Sequence, residues 1–173
     1  HDIVIGAAAR HVDVEIEAAE CFPALAALAA QIGDPAVRNR GTIGGSLANN
    51  DPAACYPAAV LACGAEIVTN LRRIAAENYF DGMFGTALDD GEVITAVRFP
   101  IPAAAHYEKF VQPASRFALV GVFVARVDGA VRVAVTGAAQ DGVFRWTEAE
   151  AALSKAFMPA ALDGLEIDPS GLI

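Results

Sequence analysis

The 173 residues carry a net charge of −9, with 55% apolar residues and a mean hydropathy of +0.41. That composition can bury a core and is far from a disordered one, while the acidic balance argues against a nucleic-acid surface, which needs a basic stripe. No apolar stretch reaches the roughly 18 residues of a membrane-spanning helix, since the most apolar one, "PAAVLACGAEIV", is cut by Gly64 and Glu66.

"DIVIGAAAR" reads as a buried strand running into a short polar turn. The chain thus opens inside an element, as expected of a domain cut from something longer, with none of the regions of a signal peptide. "EIEAAECFPALAALAAQIG" is helical, with Phe22, Leu25, Leu28, Ala29 and Ile32 recurring at three and four residues. Pro23 is tolerated only near the start of a helical turn, which predicts a break at Cys21–Phe22, and Gly33 suits a C-terminal cap. The loop "RNRGTIGGSLANND" comes next, at residues 38–51. Beyond it, a proline well inside a helix costs roughly 3 kcal/mol, so a helix is predicted from Pro57 to just before Gly64. "AEIVTN" and "RRIAAENYF" are strand-like, and a further strand is predicted over residues 92–99.

Pro100 and Pro102 form the best candidate linker, dividing the chain into a mixed unit over 1–102 and a smaller unit over 103–173. In the second unit "HYEKFVQ", "ALVGVFVARVDG" and "AVRVAVTGAA" are three β-rich runs, the last two joined by Asp128-Gly129, a hairpin signal. "TEAEAALSKAF" is then a helix, with Thr147 and Glu150 spaced as a capping box. The pattern as a whole is α+β.

The three cysteines, Cys21, Cys55 and Cys63, fit free thiols in a reducing compartment better than a disulfide framework. The three histidines are too scattered for a metal site, and no nucleophile stands beside a base, so neither metal ligands nor catalytic residues are expected. Gly41, Gly44 and Gly45 lack the spacing of a dinucleotide fingerprint and of a P-loop. A Gly-Gly pair between Thr42 and Ser46 can offer bare amide N–H groups and two hydroxyls to phosphate oxygens, or it can be a plain structural turn.

"DPAVRNRGTIGGSLANNDPAACYPAAVLACGAEI" resembles, almost position for position, the pattern "IRNRGTIGGSLANADPAAD" of the FAD-binding medium subunits of molybdenum hydroxylases, the carbon monoxide dehydrogenase and xanthine dehydrogenase family. "DIVIGAAARHVDVE", "RRIAAENYFDGMFGTALDDGEVITAVRFP" and "YEKFVQPASRFALVGV" are similar to further segments of those subunits, so the likeness runs from His1 to about residue 155. It implies the second lobe of a PCMH-type FAD-binding domain over 1–102. A C-terminal domain with a three-stranded antiparallel sheet and helices would follow over 103–173.

The resemblance implies FAD contacts near the pyrophosphate and ribityl chain from Thr42, Ile43, Gly44, Gly45 and Ser46. It places Ile94 against the flavin and Lys109 close to the flavin ring. It further implies a cytoplasmic oxidoreductase complex, with the molybdenum cofactor in a large partner subunit and 2Fe-2S clusters in a small one, inactive as this chain alone. Where the family carries an aspartate, this chain has Cys55, a far weaker hydrogen-bond partner, for which Asn49, Asn50 or Asp51 could compensate. The family's other lobe, with its own glycine-rich loop, has no counterpart here. A non-catalytic domain that keeps the fold and binds flavin weakly or not at all is therefore the alternative.

Overall fold

A computed structural model describes all residues, His1 to Ile173. The first unit contains β1 (Asp2–Gly6), α1 (His11–Glu17), α2 (Pro23–Ala30), α3 (Pro35–Arg38), α4 (Ile43–Asn49), α5 (Tyr56–Cys63), β2 (Glu66–Thr69), β3 (Arg73–Ala75) and β4 (Ile94–Pro100). Its sheet has the order β1-β4-β2-β3, every pair antiparallel. The second contains β5 (Ala104–Val111), β6 (Ala118–Val127), β7 (Ala130–Thr136), β8 (Phe144–Arg145) and α6 (Thr147–Lys155), in an antiparallel sheet of order β5-β6-β7-β8. The α+β class is as expected; the second sheet has a fourth, two-residue strand, added because Arg145 and Phe144 pair with Ala134 and Val135.

Local chemistry sets most boundaries. The predicted break holds, since α1 ends at Glu17 and Pro23 opens α2 at its first position. The cap of α2 is Gln31 rather than Gly33, which lies two residues beyond it at φ 52°. α5 starts one residue before Pro57 and ends against Gly64 at φ 61°. Asp128 and Gly129, at φ 50° and 83°, make the two-residue hairpin between β6 and β7. Only Arg73–Ala75 of the expected third strand is extended.

The expected capping box on α6 is absent. Trp146 is the N-cap, and Glu150 instead accepts from Val133 N–H (2.9 Å) and from the Arg145 guanidinium (2.8 and 2.6 Å). With Trp146 at the cap, Thr147 is the first helical residue and cannot cap the helix, and the Glu150 carboxylate turns to the neighbouring cation and sheet amide. Glu92 plays a similar part in the first sheet, accepting from Thr69 Oγ1 (2.6 Å), Arg72 Nε (3.0 Å) and Nη2 (2.9 Å), and Asp89 N–H (2.9 Å). Arg72 and these hydrogen bonds hold its carboxyl down at about 2.

The change of sheet falls at residues 101–103, yet Pro100 still belongs to β4 and pairs with Asp2. The hydrophobic core does not divide there. All eight residues of α5 are buried, and the helix packs on β6 and β7 of one sheet and on β4 of the other. Phe22, at the α1–α2 break, meets Phe99 of β4 and Phe123 of β6 edge-on, with ring centroids 6.0 and 6.3 Å away. Phe22 and α5 thereby join the two sheets in one core.

Candidate functional site

The glycine stretch, expected as a loop, is instead a helix start, with α4 running from Ile43 to Asn49. Thr42 caps α4, its Oγ1 accepting from Gly45 N–H at 3.1 Å, and Asn50 ends the helix at φ 42°. Gly41, Gly44 and Gly45 all have ordinary negative φ, so no tight turn requires them. Gly44 is there for space: a Cβ would stand 2.6 Å from Ala7 Cβ and 2.8 Å from Ala7 O. Gly41 is pressed in the same way onto the His11 ring. The bare amides expected for phosphate are engaged within the fold. Ile43 N–H donates to Ala9 O (3.1 Å), Gly44 N–H to Ala7 O (2.9 Å) and Ser46 N–H to Thr42 O (3.0 Å). What α4 offers a ligand is side chains, the hydroxyl of Ser46 and the amide of Asn49.

Those two side chains line a cleft of about 240 Å³ between the helices of the first unit and β5 with the turn that follows it. The end of α2 and α3 supply Ile32 and Val37, the turn before α5 supplies Asp51 and Cys55, and β5 supplies Lys109. The β5–β6 turn adds Arg116, held at a left-handed φ of 61°, and the half-exposed ring of Phe117. His11 of α1 closes one wall, its Nδ1 buried without a hydrogen-bond partner. Burial, and then the charge of Arg38, lower its pKa, so the ring is neutral at neutral pH.

Lys109 is the unusual member. Alternation along β5 turns Tyr107 and Lys109 inward and Glu108 and Phe110 outward. The lysine is only 7% exposed, and its Nζ donates to Gln31 O at 2.8 Å and to Cys55 Sγ at 3.4 Å. Neither partner is a carboxylate. A buried ammonium without a counter-ion is costly, and a cleft beside it gives an anion a place to bind.

Of the residues singled out in the sequence, Ser46, Asn49, Cys55 and Lys109 meet in this cleft. Thr42 is the helix cap, Ile43 and Gly44 are buried in the core, and Gly45 is exposed outside the cleft lining. Ile94 opens β4 opposite Thr69 and packs against the core, also outside the lining. Asn50 donates to Gly82 O (3.0 Å) and Gly85 O (2.6 Å), and Asp51 accepts from Ala53 N–H (2.9 Å), so both have structural work. His11, Arg116 and Phe117 were not singled out. A lone histidine in a helix and an arginine in a turn give no periodic signal; only the fold brings them here.

Residues 1–102 match the model of the FAD binding domain in molybdopterin dehydrogenase. Among curated proteins, the carbon monoxide dehydrogenase medium chain of Hydrogenophaga pseudoflava is 34% identical over 153 residues, 82% of this chain and 53% of that protein. The corresponding chain of Afipia carboxidovorans is 37% identical over 117 residues, 62% of this chain and 41% of that one. This chain thus spans about half the length of these relatives. Carbon monoxide dehydrogenase from Hydrogenophaga pseudoflava superposes with a TM-score of 0.82 at 35% identity, covering 93% of this chain and 61% of that one. Quinoline 2-oxidoreductase from Pseudomonas putida 86 does so with a TM-score of 0.78 at 28% identity, covering 98% and 67%. With a family model over more than half its length and the same two-sheet fold, the chain belongs to the family of FAD-binding domains of molybdopterin dehydrogenases.

Proposed function

We propose that the chain is the FAD-holding part of the medium subunit of a molybdenum hydroxylase, with residues 1–102 as the second lobe of the FAD-binding domain and 103–173 as the C-terminal domain. The observation that carries this reading is Lys109, a buried cation without a carboxylate, facing the cleft between β5 and the helices of the first unit. The donors present fit a flavin nucleotide: an ammonium for an anionic ring, the Ser46 hydroxyl and Asn49 amide for polar edges, and the Phe117 face for an aromatic system. At about 240 Å³ the cleft is smaller than an ordinary ligand pocket of about 300–1,000 Å³, and it receives part of so large a cofactor. FAD supplies the electron transfer when bound. The chain's own residues position it, and Lys109 favours negative charge at one place. In a cytoplasmic complex, electrons would come from the iron–sulfur clusters of a small subunit, having been released at the molybdenum cofactor of a large one, and leave for an external acceptor.

The second reading, a domain that binds flavin weakly or not at all, draws on the engaged amides of α4 and on Cys55. Fluorescence titration of this chain with FAD, with FMN and ADP in parallel, separates the two. Selective FAD binding is expected, and Lys109→Met should weaken it by about tenfold, or about 1.4 kcal/mol. Absence of binding by all three ligands would favour the second reading.

A further inference from the structure

Four buried polar side-chain atoms have no hydrogen-bond partner: His11 Nδ1, the hydroxyls of Tyr56 and Tyr107, and Trp146 Nε1. Of these residues His11 lines the cleft, while Tyr56 and Tyr107 are buried behind it next to Cys55, a lining residue. The His11 ring lies 5.4 Å from that of Tyr56, and Tyr56 follows Cys55 in the chain. Tyr107 is near enough to the Cys55 thiol for burial, and then that neighbour, to raise its pKa, but its hydroxyl makes no hydrogen bond of ordinary geometry, to sulfur or to anything else. Such unpartnered groups are costly and rare.

Beside Tyr107 and Lys109, the Cys55 side chain offers sulfur as its only acceptor atom. It is 5% exposed, lines the cleft, and has the Lys109 ammonium at 3.4 Å. Sulfur accepts hydrogen bonds poorly, which leaves both the ammonium and the 2%-exposed Tyr107 phenol short of a partner. An oxygen atom on that sulfur would be a strong acceptor between two waiting donors. The other thiols lack this setting. Cys63 lies inside α5, with its pKa pushed up to about 12 by burial, and exposed Cys21 has only a carbonyl, Ala18 O, at 3.8 Å.

We propose that Cys55 is a site of reversible oxidation to sulfenic acid by a hydroperoxide, with Lys109 and Tyr107 as the donors that hold the new oxygen. With hydrogen peroxide, sulfur attacks one oxygen, the O–O bond breaks and an S–O bond forms. The second oxygen leaves with the thiol proton as water, so sulfur loses two electrons and the peroxide gains them. Ionisation of the product puts a sulfenate against Lys109, and the cleft floor changes from positive to neutral.

The test treats the 173-residue chain with limiting hydrogen peroxide, traps sulfenic acid with dimedone and maps the adduct by peptide mass spectrometry. The adduct is expected at Cys55 ahead of the exposed Cys21. In untrapped samples chased with glutathione, Tyr107→Phe and Lys109→Met should lose the oxidised form at least about tenfold faster, the effect of one charge-assisted hydrogen bond. Tyr107→Phe removes a hydroxyl without a partner and keeps the fold, so it decides the matter even if Lys109→Met does not fold. Oxidation at Cys21 alone, or equal lifetimes in wild type and Tyr107→Phe, would overturn the proposal.

Discussion

Helix α4 and the cleft floor are neighbours with opposite characters. In α4 the conspicuous glycines sit in negative-φ backbone, and the amides of Ile43, Gly44, Gly45 and Ser46 are all hydrogen-bonded inside the fold. At and behind the cleft floor no glycine run draws the eye, yet a buried lysine has no carboxylate, and polar atoms of His11, Tyr56 and Tyr107 are buried without a hydrogen-bond partner. An eye-catching stretch can thus be a packing solution, here the seat of a helix on Ala7. Reactive potential resides where folding leaves polar groups short of partners.

The comparison breaks first at Gly44. Gly44→Ala forces a methyl group against Ala7 and should cost about 1–3 kcal/mol, lowering the thermal midpoint by several degrees in a chain of this size. Gly45→Ala, on the exposed side, meets only Thr42 Oγ1 at 3.0 Å. Its gain in helix propensity offsets that crowding, so stability should change by less than about 1 kcal/mol. Equal melting of the two variants would remove the packing explanation.

A satisfied anion sharpens the contrast with the unsatisfied cation. The Glu92 carboxyl, held down at about 2 against an ordinary 4.5 by Arg72, the Asp89 amide and Thr69, stabilises the fold above its unfolded pKa. That contribution is lost as pH falls through the interval from 4.5 towards about 2. The gap in thermal midpoint between wild type and Glu92→Gln should therefore be widest at neutral pH and close across that interval. A gap that does not narrow would mean that the charge of Glu92 contributes nothing.

The smallest effect is a matched pair of tyrosines. Tyr79 donates to Leu47 O at 3.0 Å, and Tyr79→Phe should cost about 1 kcal/mol. Tyr107 donates to nothing in the reduced protein, and Tyr107→Phe should fall within about 0.5 kcal/mol of wild type. Thermal or urea unfolding of both variants distinguishes a satisfied hydroxyl from an unsatisfied one.

Much of the fold was legible because its signals are local. Proline and glycine placed α2, α5 and the β6–β7 hairpin within a residue or two, since a missing N–H or a positive φ acts within one turn of chain. The resemblance of the segment around Thr42 named the family on the same basis, from an unbroken run of residues. Where local reading failed, a distant partner intervened. Glu150 left its expected cap for Arg145 and Val133, and Asn50 turned to the carbonyls of Gly82 and Gly85. The cleft is the extreme case. His11, Ser46, Asn49, Cys55, Lys109 and Arg116 come from five segments, namely α1, α4, the turn before α5, β5 and the β5–β6 turn, brought together because Phe22 and α5 join both sheets in one core. Adjacent residues carried the family and the elements with strong turn signals or hydrophobic period, but not α3, α4 or β8, which short runs of chain leave unmarked. Which side chains meet, and which are left without partners, was decided only by packing the two sheets around one core.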